Sequence, residues 1–191
     1  MANRNSAGFG LIPTSTLGST PSTQGQGNYY IDAGDTTGIY HGSPVKTAAG
    51  YVVEGTSATT GTQIGALNGV FYNAATTEKP TWANYYAGSI TPANSEDITA
   101  FVTDNPWQQY TVATDDTVAQ AGFLETYGLN ASAGSTTTGQ SSQTLDIGST
   151  NATTYQWRLL RIADDPENKD ITAAYASVIV VANLNEFKDS A

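Results

Sequence analysis

Short runs of β-branched and aromatic residues, separated by glycine, proline and asparagine roughly every ten residues, constrain the fold of this chain more than any other feature. Examples are 29–31 (YYI), 51–54 (YVVE) and 70–72 (VFY), the last preceded by Asn68-Gly69, a dipeptide that suits a turn with positive φ. Runs of this length and spacing are typical of antiparallel sheets. We therefore expect an all-β fold whose body is a β-barrel or a β-sandwich.

The second half of the chain continues this pattern. Strands are predicted at 98–102, at 108–113 and at 155–162. Residues 176–183 (ASVIVVAN) are apolar enough for a strand that is buried on both faces. The Ser/Thr/Gly-rich stretch 132–154 predicts a mobile hairpin or loop. The segment just before that stretch fits a strand and a short helix equally well.

The N-terminal residues 1–27 differ from the rest, because Gly, Ser, Thr and Gln surround only a few apolar side chains. Two prolines in this region favour extended backbone on either side. We interpret it as an extended N-terminal arm, followed by a single β-rich domain over residues 28–191. A frayed terminus has the same composition. If the arm instead becomes ordered against a neighbouring subunit, Phe9, Leu11 and Ile12 are the side chains that would anchor it.

The chain carries little of the chemistry that enzymes use. It has no Cys and a single His among its 191 residues, and groups that titrate near neutral pH are the usual general acids and bases. His41 precedes a Gly-Ser-Pro turn, no G-x-S-x-G elbow is present, and we interpret His41 as a surface turn residue. Thiolate and multi-histidine metal sites are excluded. We expect no catalytic activity, no cofactor and no metal.

Pairs of neighbouring carboxylates at 96–97, 115–116 and 164–165 raise the possibility of a β-sandwich glycosidase. Adjacent residues of a strand point to opposite faces, so such a pair is not by itself a catalytic dyad. A hydrolase would need two acids from separate strands that face each other in a cleft. Residues 164–170 (DDPENKD) form the most calcium-like segment, but they lack the D-x-D-x-D-G spacing and indicate a solvated turn.

The charge balance and the lack of long apolar stretches argue against nucleic-acid binding, a membrane span and an export signal. Seventeen Asp and Glu outnumber seven Lys and Arg, which gives a formal net charge of −10. A surface this acidic is repelled by phosphate backbones, and the chain has no basic cluster, so we expect no binding to nucleic acid. No apolar stretch approaches the ~18 residues of a membrane span. The first residues lack the apolar segment of a signal peptide, and we expect no cleaved export signal.

Aromatic residues concentrate in the middle of the chain, at Trp82, Tyr85, Tyr86 and Trp107. Three interpretations are open for this cluster: packing in the core, a contact between subunits, or a platform on which sugars stack. Trp and Tyr are enriched in protein interfaces. We therefore expect a subunit contact near Trp82, Tyr85 and Tyr86.

Three stretches carry a resemblance to a known family. They are the opening MANRNSAGFGLIPTSTLGS, the block NGVFYNAATTEKPTWANYYAGSITPANSEDITAFVTDNP (68–106) and the closing QWRLLRIADDPENKDITAAYASVIVVANL (156–184). Together they resemble capsid decoration, or cement, proteins of tailed bacteriophages. The resemblance implies a β-barrel or β-tulip-like body with an arm. It also implies a homotrimer that binds the major capsid protein on the outer face of the head, and it supplies no catalytic residues.

The expected function is therefore non-enzymatic: each copy stabilises a phage head by burying surface across capsid subunits, and symmetry multiplies a modest affinity. Repulsion by packaged DNA favours the outer face of the capsid over its lumen. The alternative is a carbohydrate-binding module on a virion surface or tail. The residues expected at the capsid or subunit interface are Phe9, Leu11, Ile12, Trp82, Tyr85 and Tyr86.

Overall fold

A computed structural model describes residues 3–18, 25–55, 61–130, 133–150 and 155–188 of the chain. Over these residues the protein is nearly all β, with short 3-10 turns as its only helical elements, and the expectation of an all-β fold is confirmed. The two 3-10 turns span Ala93–Ser95 and Gln120–Gly122. The strands are β1 (Ile12–Thr16), β2 (Gly27–Ile31), β3 (Pro44–Ala48), β4 (Tyr51–Glu54), β5 (Gly65–Asn73), β6 (Pro80–Ala83), β7 (Ile98–Thr103), β8 (Gln108–Ala113), β9 (Thr126–Leu129), β10 (Leu145–Thr150), β11 (Trp157–Ile162) and β12 (Ser177–Ala182).

These strands form two antiparallel sheets of six strands each, in a sandwich-like arrangement that is not a closed barrel. Sheet I has the order β1-β8-β12-β11-β9-β10. Sheet II has the order β2-β7-β5-β3-β4, and β6 also pairs with β5. The long strand β5 pairs with β7 along one edge and accommodates two partners along the other, because β3 pairs with its first residues and β6 with its last four.

Each sheet packs on its own hydrophobic cluster. Sheet I buries Tyr110, Tyr127 and Trp157, and the rings of Tyr110 and Trp157 meet edge to face with centroids 5.5 Å apart. An aromatic pair of this kind stabilises a core by about 0.5–1.5 kcal/mol beyond the burial of its surface. The cluster of sheet II is mainly aliphatic. It contains Ile31, Ile39, Val45, Val52, Ile64, Leu67, Val70, Tyr86, Ile98, Ala100 and Val102.

The strands with the clearest local patterns lie where the sequence predicts them. Strand β8 has the predicted bounds, β7 differs by one residue, and all six residues of β12 are buried, as expected for a strand covered on both faces. The predicted turn at Asn68-Gly69 is wrong. Both residues lie inside β5, at a shift in its register with β7, and Gly69 does not have a positive φ.

The stretch that was expected to be a mobile hairpin or loop contains strand β10, which forms a hairpin with β9. The described residues 133–141 before β10 bind to the segments that follow β6 and precede β3 of sheet II. The carbonyls of Thr136, Thr138 and Gly139 accept hydrogen bonds of 2.8–3.1 Å from the Tyr85 hydroxyl, the Asn84 amide and the His41 backbone N–H. This part of the loop therefore connects the two sheets.

Residues 3–18, the longer of the two described parts of the expected N-terminal arm 1–27, are extended and lie against sheet I of the same chain. The shorter part, 25–27, already leads into strand β2 of sheet II. Strand β1 of the longer part pairs with β8 at the edge of sheet I. Asn3 donates hydrogen bonds to three carbonyls of the 170–174 loop, and the Asn5 backbone N–H donates to Asn168 Oδ1 at 2.6 Å. Leu11 then enters the core of sheet I.

Candidate interaction surfaces

The six residues expected at an interface fall into three pairs in the structure, which differ in exposure. Leu11 and Tyr86 are fully buried, each with 0% of its surface exposed, so neither side chain is available to a partner in this fold. Ile12 and Trp82 are exposed, at 39% and 51%. Phe9 and Tyr85 are half-buried. Burial of Leu11 and Tyr86 has the same cause, since each is an apolar side chain drawn into the cluster of the nearer sheet.

Tyr85 has an internal role. Its ring stacks on Tyr40 with centroids 5.5 Å apart and an interplanar angle of 3°. Gly134 and Gly139 approach these rings so closely that an added Cβ would lie 2.1 Å from Tyr40 and 2.7 Å from Tyr85. The 133–141 loop therefore packs on the tyrosine pair, and the pair helps to join the sheets.

Trp82 instead belongs to a row of aromatic side chains on the outer face of sheet II, the face opposite its hydrophobic cluster. Strand register places Trp82 beside Phe71, Phe71 beside Thr99, and Thr99 beside Tyr30. Phe101 lies on the same face, two residues beyond Thr99. We name Tyr30, Phe71, Trp82 and Phe101 the aromatic strip. Sequence reasoning found only Trp82, because cross-strand register is needed to bring the others beside it.

The position of the Trp82 ring depends on Gly69. The ring packs on Phe101 with centroids 5.1 Å apart and an interplanar angle of 54°. A Cβ added at Gly69 would lie only 2.4 Å from Cζ2 of Trp82. The indole therefore covers the backbone of Gly69, and any larger residue there would push it away. Gly69 thus serves to seat the indole against the sheet.

A second group of exposed apolar side chains comes from the residue after strand β1, from the turn between β7 and β8, and from the last described residues of the chain. Leu17 is 45% exposed, Trp107 53% and Phe187 55%. The Leu17 backbone N–H donates to the Trp107 carbonyl at 2.8 Å, and Lys188 Nζ lies 4.1 Å from the centroid of the Trp107 ring. We name Leu17, Trp107 and Phe187 the terminal patch. Leu17 directly follows strand β1, in which Ile12 is also exposed.

The carboxylates that the sequence singled out mostly hold turns together. Asp115 accepts hydrogen bonds from Asn130 and from the Ile147 backbone. In the 164–170 segment, a hydrogen bond from the Asn168 amide lowers the pKa of Asp165, and the Thr172 hydroxyl lowers the pKa of Asp170 to about 2. Within the described ranges, no group of three His, Asp or Glu residues is arranged to hold a metal ion.

Sequence reasoning did not identify an acidic depression of about 550 Å³ beside strands β3 and β4. Asp32, Asp35, Glu54 and Lys46 are among its lining residues. Burial raises the pKa of Glu54, and the nearby Asp35 carboxylate raises it further. A hydrolase would need an acid-lined cleft, but an acidic cluster alone indicates no substrate.

Comparison with known proteins identifies no relative. No protein-family model, curated protein or solved structure matches the chain. None of the helical segments in the described ranges is long and apolar enough to cross a membrane. The aromatic strip and the terminal patch are therefore interpreted from their own geometry and chemistry.

Proposed function

We propose that this chain is a non-enzymatic structural protein of a tailed-phage virion, which binds the outer face of the capsid through the terminal patch. The observation that carries this proposal is the exposure of Leu17, Trp107 and Phe187 in one region. Clusters of exposed apolar and aromatic side chains are typical of interaction sites, and Trp is enriched among the residues that dominate binding energy. The resemblance to decoration proteins supplies the class of partner, the major capsid protein, and the expectation of a homotrimer.

The structure also suggests how the N-terminal segment contributes. Leu11 fixes the segment to the body, while Ile12 at the beginning of the edge strand and Leu17 just after its end remain exposed. Because the segment is already ordered on its own chain, binding a lattice would not require the entropy cost of ordering it. The anchor expected at Phe9, Leu11 and Ile12 is accordingly proposed at Ile12 and the terminal patch.

The acidic charge supports an external position. The chain carries a formal net charge of −10. Packaged DNA would repel it, whereas the outer surface of a capsid presents protein. Attachment through an apolar patch would also depend little on salt, because burial of apolar surface is not screened as charge pairs are.

Co-sedimentation with empty phage heads that lack the protein tests this proposal. A Leu17→Ser, Trp107→Ala double variant should bind the heads at least about ten-fold more weakly, since it removes the centre of the patch. Trp82→Ala, equally exposed but in the aromatic strip, is the matched control and should bind like the wild type. Thermal unfolding checks that both variants fold.

Two results would contradict the proposal. Wild-type protein that does not sediment with heads would exclude capsid attachment. Full binding by the double variant would exclude the terminal patch as the contact. Light scattering of the free protein tests the proposed trimer separately. A monomer or dimer in solution would contradict it.

A further inference from the structure

The aromatic strip forms a second surface that capsid attachment does not use. Tyr30 is 58% exposed, Phe71 39% and Trp82 51%, although all three belong to regular strands. In the row that runs from Tyr30 through Thr99 and Phe71 to Trp82, neighbouring strands lie about 4.8 Å apart, so the row spans roughly 14 Å. A row of this length can hold several rings of a chain ligand.

The chemistry of the strip is entirely uncharged. The strands β2, β5, β6 and β7 contain no Asp, Glu, Lys or Arg, although the chain has 24 such residues, seven basic and seventeen acidic. Beside the aromatic rings lie neutral hydrogen-bonding groups, namely Asn28, Asn73 and Thr99. Aromatic faces combined with a few neutral amides and hydroxyls match a ligand that presents C–H groups on one side and hydroxyls on its edges.

We propose that the aromatic strip is a binding site for a neutral carbohydrate chain, which lies across strands β2, β7, β5 and β6. The Trp82 indole, seated over Gly69, provides the main stacking surface, and Tyr30 and Phe71 provide the next ones. Asn28, Asn73 and Thr99 hydrogen-bond the sugar hydroxyls. This site does not rest on the capsid proposal, since it uses a different surface of the molecule.

Charge distinguishes this ligand from the other candidates. Asp32 follows β2 directly, Asp97 precedes β7 directly, and Glu96 accepts a hydrogen bond from the Asn73 amide at 3.3 Å. Three carboxylates therefore stand at one end of the strip, against the single ammonium of Lys79, which precedes β6. Nucleic acid and anionic polysaccharides would be repelled there. A second copy of this chain brings the same acidic ends and the same net charge of −10 to the contact. A neutral glycan avoids each of these costs.

Affinity electrophoresis tests the site, with gels that contain hydroxyethyl cellulose, glucomannan or dextran as neutral probes and alginate as the anionic one. We expect at least one neutral polysaccharide to retard the wild-type protein, and alginate not to. Trp82→Ala should weaken this binding about ten-fold or more. Trp107→Ala removes an equally exposed tryptophan from the terminal patch and should leave it unchanged.

Gly69→Ala is a second, more specific variant. It keeps every aromatic residue but displaces the Trp82 ring, since the new Cβ would lie 2.4 Å from Cζ2. We expect it to weaken retardation in the same gels, and thermal unfolding would confirm that it folds. The inference is wrong if no neutral gel retards the wild type, if alginate retards it more strongly, or if either Trp82→Ala or Gly69→Ala binds like the wild type. A dimer in light scattering that Trp82→Ala dissociates would also overturn it, because the strip would then contact a second copy.

Discussion

The outer faces of the two sheets differ in the side chains that cover them. On sheet I the outer face is closed by polar contacts: Arg161 and Ser15 donate to Gln109 Oε1 at 2.9 and 3.2 Å, and Gln109 is only 2% exposed. Arg158 donates to the Leu124 carbonyl and to Asn183. On sheet II the corresponding face carries the aromatic strip, where the largest side chains stand in solvent.

This contrast separates structural residues from functional ones. A buried glutamine with satisfied hydrogen bonds maintains the fold, because leaving its partners unpaired is costly. An exposed aromatic residue adds little to stability, and several in one row are informative for that reason. The sheets share an antiparallel architecture, so that architecture alone does not require exposed aromatic residues on either outer face.

The largest effect on the sheet I side is expected from the N-terminal segment. Leu11→Ala should lower the free energy of unfolding by about 2–5 kcal/mol, because it leaves a cavity in a packed core. Ile12→Ala, one residue along and 39% exposed, should cost less than about 1 kcal/mol. Urea unfolding of both variants measures the difference. Equal losses would mean that the segment does not anchor sheet I through Leu11.

A smaller effect should distinguish the two outer faces directly. Gln109→Ala should lower the free energy of unfolding by about 1–3 kcal/mol, since it removes a buried side chain that accepts hydrogen bonds from the half-buried Ser15 and from Arg161. Tyr30→Ser, in the aromatic strip, should cost less than about 1 kcal/mol. Thermal and urea unfolding would show this order. If Tyr30→Ser were the more destabilising change, the strip would be part of the structural framework.

The sequence predicts the sheet I strands better than either surface. The apolar run of β12 is a local signal, and so are the bounds of β8. The burial of Leu11 has no local signal, because Phe9 and Ile12 beside it are equally apolar and its contacts come from Gly42 and from the sheet I core. The alternation of a short strand also does not tell which of its two tyrosines, Tyr29 or Tyr30, faces the solvent.

There is a further reason why the other three residues of the aromatic strip could not be predicted from the sequence. Its members come from four strands, and their proximity depends on strand order and register, neither of which the chain displays locally. Trp82 could be singled out because tryptophan is a rare residue. Tyr85 and Tyr86, which were expected beside it, are close to it in the sequence but do not belong to the same surface. Tyr86 enters the sheet II cluster, and Tyr85 stacks on Tyr40.

The smallest expected effect concerns the loop that holds the N-terminal segment to sheet I. Hydrogen bonds lower the pKa of Asp165, chiefly from Asn168, and bring that of Asp170 from 3.8 to about 2, chiefly from Thr172. A carboxyl whose pKa is lower in the folded state stabilises the fold above the unfolded pKa, and this contribution is lost as pH falls through the folded value. The Tm should therefore fall slightly between pH 4 and pH 2.

An Asp165→Asn variant isolates this contribution, because its side chain does not titrate. Asn168 bridges Asp165 to the Asn5 backbone, so protonation of Asp165 should loosen the N-terminal segment before it affects sheet II. We expect the wild-type Tm to decline more steeply than that of the variant between pH 4 and pH 2, and amide exchange to accelerate first in residues 3–8. Parallel declines, or exchange that begins in β7, would show that acid acts elsewhere and that the loop does not control how sheet I holds the segment.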